Sequence, residues 1–406
     1  MRLLTIIVHK ERYGSENHML RVACGSARRG IEVHAAFPRA AGTGSMISEC
    51  EAAGVPHWPF EWNRPTDERV KSLPNRAMRS TSRIVQLFRL LNSVRPDVVQ
   101  FTSGWPSEVW EPSISCALCD IPMLSVFQLA PQIVSVPAPV REALAWARRR
   151  RQRWMAVSQH NLPYLQASFR TRTGEIGILA NGIEITKTPS TLDTDTLRQQ
   201  LREELELSTA AKILLTTARF DGHKGYADLL AVVPSVIDKF PEAIFVWAGD
   251  GSNRAVLEAH VRDQGLERHV RFLGYRTDIE RLLRASDVFV FPSHSEGGCS
   301  SSIREAMVNC LPVVCSDAGG IPEVIFDGIH GIVFPAKDID RMFTCICDAL
   351  SNPARMGLLA KQARKRIEEF SSEQMVENYL AVLRELCQGS AKRRARSEGG
   401  SSTGAT

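Results

Sequence analysis

The sequence predicts an α/β protein of two parallel-sheet domains in series, with a ligand cleft between them. Three observations predict it. Short apolar runs alternate with amphipathic segments in βαβα order, which calls for a parallel sheet covered by helices on both faces. The series breaks at the turn signal Asn181-Gly182 and then starts again. The chain has 406 residues, too many for one ordinary core and suited to two domains of about 180 residues.

In the first half, Leu3 to Val8 reads as a buried strand. Ser15 to Arg29 places Met19, Leu20, Ala23 and Ala27 at helical spacing and ends at Gly30. A strand at Glu32 to Phe37 and a helix at Met46 to Ala53 follow, the latter closing at Gly54. Pro56 to Pro74 is rich in Pro and Trp and reads as an irregular loop. Next come a helix through Ile84 to Leu91 and strands at Asp97 to Phe101, Met123 to Phe127 and Trp154 to Ser158.

The linker is expected near residues 182 to 200. Beyond it, strands are predicted at Lys212 to Thr217, Ala243 to Ala248, Val270 to Leu273, Asp287 to Phe291, Pro312 to Cys315 and Gly331 to Phe334. Helices intervene at Tyr226 to Lys239, Ala255 to Gln264, Ile279 to Ala285 and Ser302 to Asn309. Pro353 to Leu386 is amphipathic, with Leu358, Ala363, Ile367, Val376, Tyr379, Leu380 and Leu383 as buried candidates. After Cys387 the chain has little to bury and is expected to be disordered. The expected organisation is therefore 1–182, 183–352, closing helices at 353–386, and a basic tail at 387–406.

Composition excludes some classes. With 44% hydrophobic and 23% charged residues the chain is globular. Much of its +5 net charge lies in two arginine-rich runs, Arg148 to Arg153 and Lys392 to Arg396, so a general nucleic-acid surface is not indicated. The ten cysteines show no metal-ligand spacing; Cys116 and Cys119 form a C-x-x-C without a second pair, which fits a reducing, cytoplasmic setting. The N-terminal apolar run ends at once in His9-Lys10-Glu11-Arg12 and reads as a strand rather than a leader. No run is long enough to span a bilayer, so membrane contact would be peripheral, at the inner face. Residues 141–154, which carry Leu144, Trp146 and Trp154 among arginines, read either as a lipid-resting patch or as solvated helix surface.

Ligands of open parallel sheets bind outside the carboxyl ends of the strands, and four loops fall there. K-E-R-Y-G-S-E, Lys10 to Glu16, combines Gly14, which permits close backbone approach, with a helix start. In R-F-D-G-H-K-G, Arg219 and Lys224 can both reach one diphosphate, one as a planar fork and one as a point charge. In H-S-E-G-G-C-S-S-S-I-R-E, the glycines free backbone amides, and Glu296 and Glu305 are acceptors for sugar hydroxyls. Glu305 equally completes a capping box with Ser302. S-D-A-G-G-I-P-E, Ser316 to Glu323, is a further anion- or ribose-facing loop. Each of these also reads as an ordinary surface turn. There is no H-E-x-x-H and no Walker sequence, so no metal is expected.

The stretch Glu296 to Asp338, E-G-G-C-S-S-S-I-R-E-A-M and onward through S-D-A-G-G-I-P-E, resembles the donor-binding half of the retaining glycosyltransferases of family 4. Arg219 with Lys224, Ala248-Gly249-Asp250-Gly251, and Gly14-Ser15-Glu16 before Leu20 match further features of that family. The resemblance covers roughly residues 1 to 386, more specifically in the second domain. It implies the GT-B architecture, two Rossmann-like domains facing a central cleft with the closing helices of 353–386 crossing back to the first domain through Tyr379 and Leu383, and metal-free transfer from a UDP-, GDP- or ADP-sugar to a glycan, lipid-linked or small-molecule acceptor.

It further implies that Arg219 and Lys224 hold the diphosphate and that Glu305 binds the ribose. Glu296 and the amides near Gly298, Cys299 and Ser300 would hold the sugar and distal phosphate, with Gly14 on the donor side and Glu16 and Gln128 toward the sugar or acceptor. Two departures stand out. Eight residues separate Glu296 from Glu305 where the family has seven, and Gln128 stands where many members carry histidine. An inverting relative would need a base such as His9, His18 or His160, none with an evident carboxylate partner in sequence. A degenerate member that only binds nucleotide sugar is the alternative function.

Overall fold

A computed structural model of the chain describes residues 1–9, 12, 14–40, 42–60, 73–185 and 193–398. Lys10, Glu11 and Tyr13 of the first glycine loop, most of the Pro56 to Pro74 loop, and the middle of the expected linker lie outside the described residues. The chain divides into two compact units, residues 1–182 with 372–406, and residues 183–371.

In the first unit the strands are β1 (Arg2–Ile6), β2 (Glu32–Phe37), β3 (His57–Pro59), β4 (Val98–Ser103), β5 (Met123–Phe127), β6 (Gln152–Ala156) and β7 (Ile176–Ile178). All pairings are parallel, in the order β3-β2-β1-β4-β5-β6-β7. Alternate residues of β1 feed opposite faces, as the period of two requires. Leu3 packs with α1 (Gly14–Ala27) and α2 (Gly44–Ala52), whereas Leu4 and Ile6 pack with α3 (Leu73–Val94), α4 (Trp110–Leu118), α5 (Ala138–Arg148) and α6 (Leu162–Phe169).

The second unit holds β8 (Lys212–Thr217), β9 (Ala243–Ala248), β10 (Val270–Gly274), β11 (Val288–Phe291), β12 (Val313–Ser316) and β13 (Ile332–Phe334), in the order β10-β9-β8-β11-β12-β13. Its helices are α7 (Thr194–Glu204), α8 (Tyr226–Lys239), α9 (Arg254–Asp263), α10 (Ile279–Ala285), α11 (Ser301–Val308), α12 (Ile339–Ser351) and α13 (Pro353–Ile367). Ile213, Val246, Phe289 and Val313 line one face and Leu214, Phe245, Val290 and Val314 the other, so this sheet too is buried on both sides.

Several details differ from expectation. The short strand β3 lies within the stretch read as a loop; three residues are too few to show a period. Helices α4, α6 and α7 and strand β7 are additional to the expected elements, and α5 falls on the stretch of which helix surface was one reading. One expectation is met here: the closing segment returns to the first domain, since the last helix, α14 (Ser372–Glu398), belongs to the first unit, where Val376, Tyr379, Leu380 and Leu383 enter the core with α1. It runs past Leu386 into the basic segment expected to be disordered; Ala, Lys and Arg are strong helix formers, and a docked helix extends without a new nucleus. Leu358 is 61% exposed rather than buried. In the arginine-rich run, Leu144 and Trp154 are core residues, Arg148 pairs with Glu175 and Arg151 with Asp120. That leaves Trp146 as the run's exposed apolar residue. Among the described residues, no helix is long and apolar enough to cross a membrane.

Candidate functional site

With β8 first in its unit, the second sheet runs outward on one side through β9 and β10 and on the other through β11, β12 and β13. Its topological switch point is the gap between β8 and β11, where two loops diverge and leave a crevice. The Arg219–Gly225 loop leaves β8 and the Pro292–Ser300 loop leaves β11, so two of the four predicted segments meet there. Contacts at glycine fix the approach. A Cβ on Gly225, at φ +74°, would lie 1.9 Å from the Pro292 carbonyl oxygen, and one on Gly319, at φ +58°, would lie 1.8 Å from the Glu296 carbonyl oxygen. Both positions therefore demand glycine, and they lock the loops after β8 and β12 onto the loop carrying Glu296.

Lys224 Nζ donates to Glu296 Oε1 at 2.5 Å, with side-chain exposures of 14% and 11%. Ser293 Oγ donates to the same oxygen at 2.7 Å. Lys224 also lies 5.5 Å from the Phe291 ring centre, a cation–π distance. Arg219 is half exposed and pairs with Asp221 at 2.9 Å. The loop is braced by His294, whose Nε2 lies 2.7 Å from Asp228 Oδ2 and whose amide donates to the His223 carbonyl at 2.7 Å. Burial, then the neighbouring Lys224 ammonium, hold the His223 imidazole below its ordinary pKa. The crevice thus presents two cations on one loop opposite a fixed carboxylate on the other.

Helix α11 starts at Ser301 with Ser300 as N-cap, and no side chain caps it. The capping box expected from Ser302 and Glu305 does not form, because the N-cap is Ser300, two residues earlier, and Glu305 falls in the second turn. Its first intrahelical bond is Arg304 N to Ser300 O, so the amides of Ser301 to Ile303 lack helical acceptors and point from the positive end. Gly298, Cys299 and Ser300 lead into this end. The Cys299 thiol is buried, and burial raises its pKa to about 12, so at neutral pH it stays protonated.

The first unit has a corresponding switch point between β1 and β4. Gly14 opens α1, and a Cβ there would meet nothing within 4 Å, so close packing does not require glycine at this position. Glu16 is fully buried and meets His9 Nδ1 at 2.5 Å. His9 Nε2 lies 3.3 Å from Glu108 Oε1. Gln128 follows β5, accepts from Asn181 Nδ2 at 2.8 Å, and leaves its own buried Nε2 without a partner. Sequence reasoning missed Ser293, the His294–Asp228 pair and Glu108. Asp228 is 66 and Glu108 99 residues from its histidine, and no local signal reveals such pairs. Among the described residues no group of three or more His, Cys, Asp or Glu side chains is arranged to hold a metal ion.

Residues 198–368 match the family described as Glycosyl transferases group 1, which relates the second unit to that family. Spore coat protein SA of Bacillus subtilis (strain 168) is 32% identical over 195 residues, 46% of this chain and 52% of that protein. Glycogen synthase of Mycobacterium tuberculosis (strain H37Rv) is 27% identical over 286 residues, 68% of this chain and 65% of that protein. The chain thus spans between about half and two thirds of these relatives. Among solved structures, a glycosyltransferase from Rickettsia africae ESF-5 superposes with a TM-score of 0.80 at 16% identity, covering 95% of this chain and 98% of that one. Anabaena Alr3699/HepE in complex with UDP and glucose superposes with a TM-score of 0.74 at 19% identity, covering 95% and 100%. The fold, two parallel sheets each flanked by helices, is that of the GT-B proteins.

Proposed function

We propose that the chain is a retaining, metal-independent glycosyltransferase of family 4 that moves a sugar from a UDP-, GDP- or ADP-sugar to a glycan, lipid-linked or small-molecule acceptor. The observation that carries this reading is the meeting of Lys224 and Glu296 at 2.5 Å across the switch point of the second sheet. A cation there can follow the charge that grows on a departing diphosphate, and a carboxylate beside it can hold the hydroxyls of the sugar that leaves it. The half-exposed Arg219 adds a second cation on the same loop. The open amides at the start of α11 suit the distal phosphate, and Glu305 on that helix suits the ribose. The names of the relatives support a nucleotide-sugar substrate, since one is a glycogen synthase and another was crystallised with UDP-glucose.

Retention follows in this reading from a departing phosphate oxygen that takes the proton of the acceptor hydroxyl on the face where the new bond forms. The second unit then needs no side-chain base. A screen of UDP-, GDP- and ADP-sugars for turnover tests the proposal, with the anomeric configuration of the product read by NMR. Lys224→Ala should lower kcat by about two to three orders of magnitude, the scale for one lost transition-state donor, with the far-UV circular dichroism spectrum unchanged. An unaltered rate for both Lys224→Ala and Arg219→Ala would refute the diphosphate role, and an inverted product would refute retention.

A further inference from the structure

The two basic runs of the sequence, Arg148 to Arg153 and Lys392 to Arg396, meet at one edge of the first unit, and the catalytic reading uses neither. The first run joins α5 to β6 and so stands at the amino edge of the sheet, opposite the carboxyl edge where ligands of such sheets bind. The second run reaches the same edge on α14. Near the start of that helix the Met375 sulfur accepts from the Gly182 amide at 3.0 Å, beyond the carboxyl end of β7. By Cys387 the helix has crossed the sheet, with Sγ 4.0 Å from the carbonyl oxygen of Asp97, the residue before β4. Burial first and Asp97 next raise the Cys387 thiol pKa, while the amino terminus and Arg151 oppose them. Arg151 of the first run is therefore within electrostatic reach of the point where α14 leaves the sheet. The helix backbone continues to Glu398, which carries the second run roughly 15 Å onward at about 1.5 Å per residue. We propose that this amino edge, with both basic runs, docks the protein on an anionic lipid bilayer, whatever reaction the second unit performs.

Charge balance separates this edge from an ordinary solvated surface. Its acids are already matched: Asp120 to Arg151 at 2.7 Å, Glu175 to Arg148 at 3.0 Å, and Asp97 to the chain's amino group at 3.9 Å. Arg172 opens the turn that ends at Glu175, whose amide donates to its carbonyl at 3.1 Å. Arg149, Arg150, Arg153 and Arg172 are all exposed, and among the described residues none of them has an ion-pair partner. The α14 extension adds Lys392, Arg393, Arg394 and Arg396 to the chain here, against the acid Glu398.

Two apolar side chains stand among these cations. Trp146 is 38% exposed and has the Arg150 guanidinium 4.4 Å from its ring centre. Leu118, 59% exposed, ends α4 two residues before Asp120. Tryptophan beside arginine suits the headgroup level of a bilayer, where the ring enters the interface and guanidinium groups fork onto phosphate. Each cation near an anionic leaflet strengthens attachment about fivefold, so several on one face hold where one does not. A nucleic-acid strand would occupy the arginines and leave Leu118 in water. Docking through the amino edge also leaves the loops at the carboxyl edge of this sheet uncovered.

The test uses the full chain and needs no sugar substrate. Co-sedimentation with vesicles of phosphatidylcholine alone, and of an equal mixture with phosphatidylglycerol, reads the attachment at low and at physiological salt. Wild type should bind the mixed vesicles about tenfold or more tighter than the neutral ones, and less tightly as salt rises. Replacing Arg149, Arg150 and Arg153 together with alanine should weaken that binding about tenfold or more, as should replacing Lys392, Arg393, Arg394 and Arg396 together with serine. Trp146→Ala should weaken it too. Thermal melting checks the fold of each variant, and the serine set, which follows Cys387, stays informative if the alanine set unfolds. Equal binding to neutral and mixed vesicles, no vesicle binding by wild type, or binding unchanged in both sets would overturn the surface. Tighter binding to a single-stranded RNA homopolymer than to the mixed vesicles, through the same arginines, would overturn it in favour of nucleic acid.

Discussion

Replacing Gly319 with alanine isolates the packing that sets the position of Glu296. Gly319 and Gly328 have nearly the same backbone, φ +58° and +68°, but a Cβ at Gly319 would lie 1.8 Å from the Glu296 carbonyl oxygen while nothing lies within 4 Å of one at Gly328. Both alanines bear the left-handed penalty of roughly 1–2 kcal/mol. Only Gly319→Ala must also push a backbone aside by more than about 1 Å to restore ordinary contact, an overpacking cost of roughly 1–3 kcal/mol. Gly319→Ala should therefore be destabilised by roughly 2–5 kcal/mol and Gly328→Ala by roughly 1–2 kcal/mol. For a unit of this size each kcal/mol lowers Tm by about 2–4 °C, so a difference of several degrees separates the variants in calorimetry. Displacement of the loop by about 1 Å should cost turnover about 10²-fold, whereas Gly328→Ala keeps wild-type turnover. Equal melting temperatures with equal activities would refute the claim that this contact positions the Glu296 loop.

Two further outcomes follow from the second unit. Glu305→Ala should raise KM for the donor with kcat little changed, because a ribose does not change charge during transfer, whereas Glu296→Ala should lower kcat; steady-state kinetics showing the reverse split would exchange the two roles. Hydrogen bonds from Arg276 first, against the opposing burial, and then from Arg281 hold the Asp278 carboxyl well below its ordinary range. Its stabilisation is complete above the unfolded value near 4 and is lost as pH falls through the lower folded value. Asp278→Asn should therefore lower Tm at pH 7 and flatten its acid dependence, and an unchanged slope below pH 4 would refute the linkage.

Much of the fold was legible because its signals are local. Runs such as Ile213 to Leu215 and Ala243 to Ala248 are apolar on both alternating faces, as a strand covered by helices requires. Arg219, Lys224 and Glu296 were legible as polar residues of strand-end loops among glycines, and Glu305 as a carboxylate early in the helix that follows. The short strand β3 and the edge strand β7, with three residues each, were not, since so few residues carry no period. Leu358 looked buried on its helix because sequence shows which positions share a face but not whether another element covers it.

What the tertiary structure alone decided are the pairings. Lys224 and Glu296 are 72 residues apart, and His9 and Glu108 are 99 apart. Each pair is joined only because the order in which strands are added reverses at β8 or β1 and brings the ends of non-consecutive parallel strands side by side. Residue type and helical or strand period are properties of a short stretch of chain and can be read along it. Which carboxylate faces which cation depends on crossover connections whose order is set by burying both faces of a sheet at once. The same long-range packing turned Glu16 from an expected ligand contact into the buried anchor of His9.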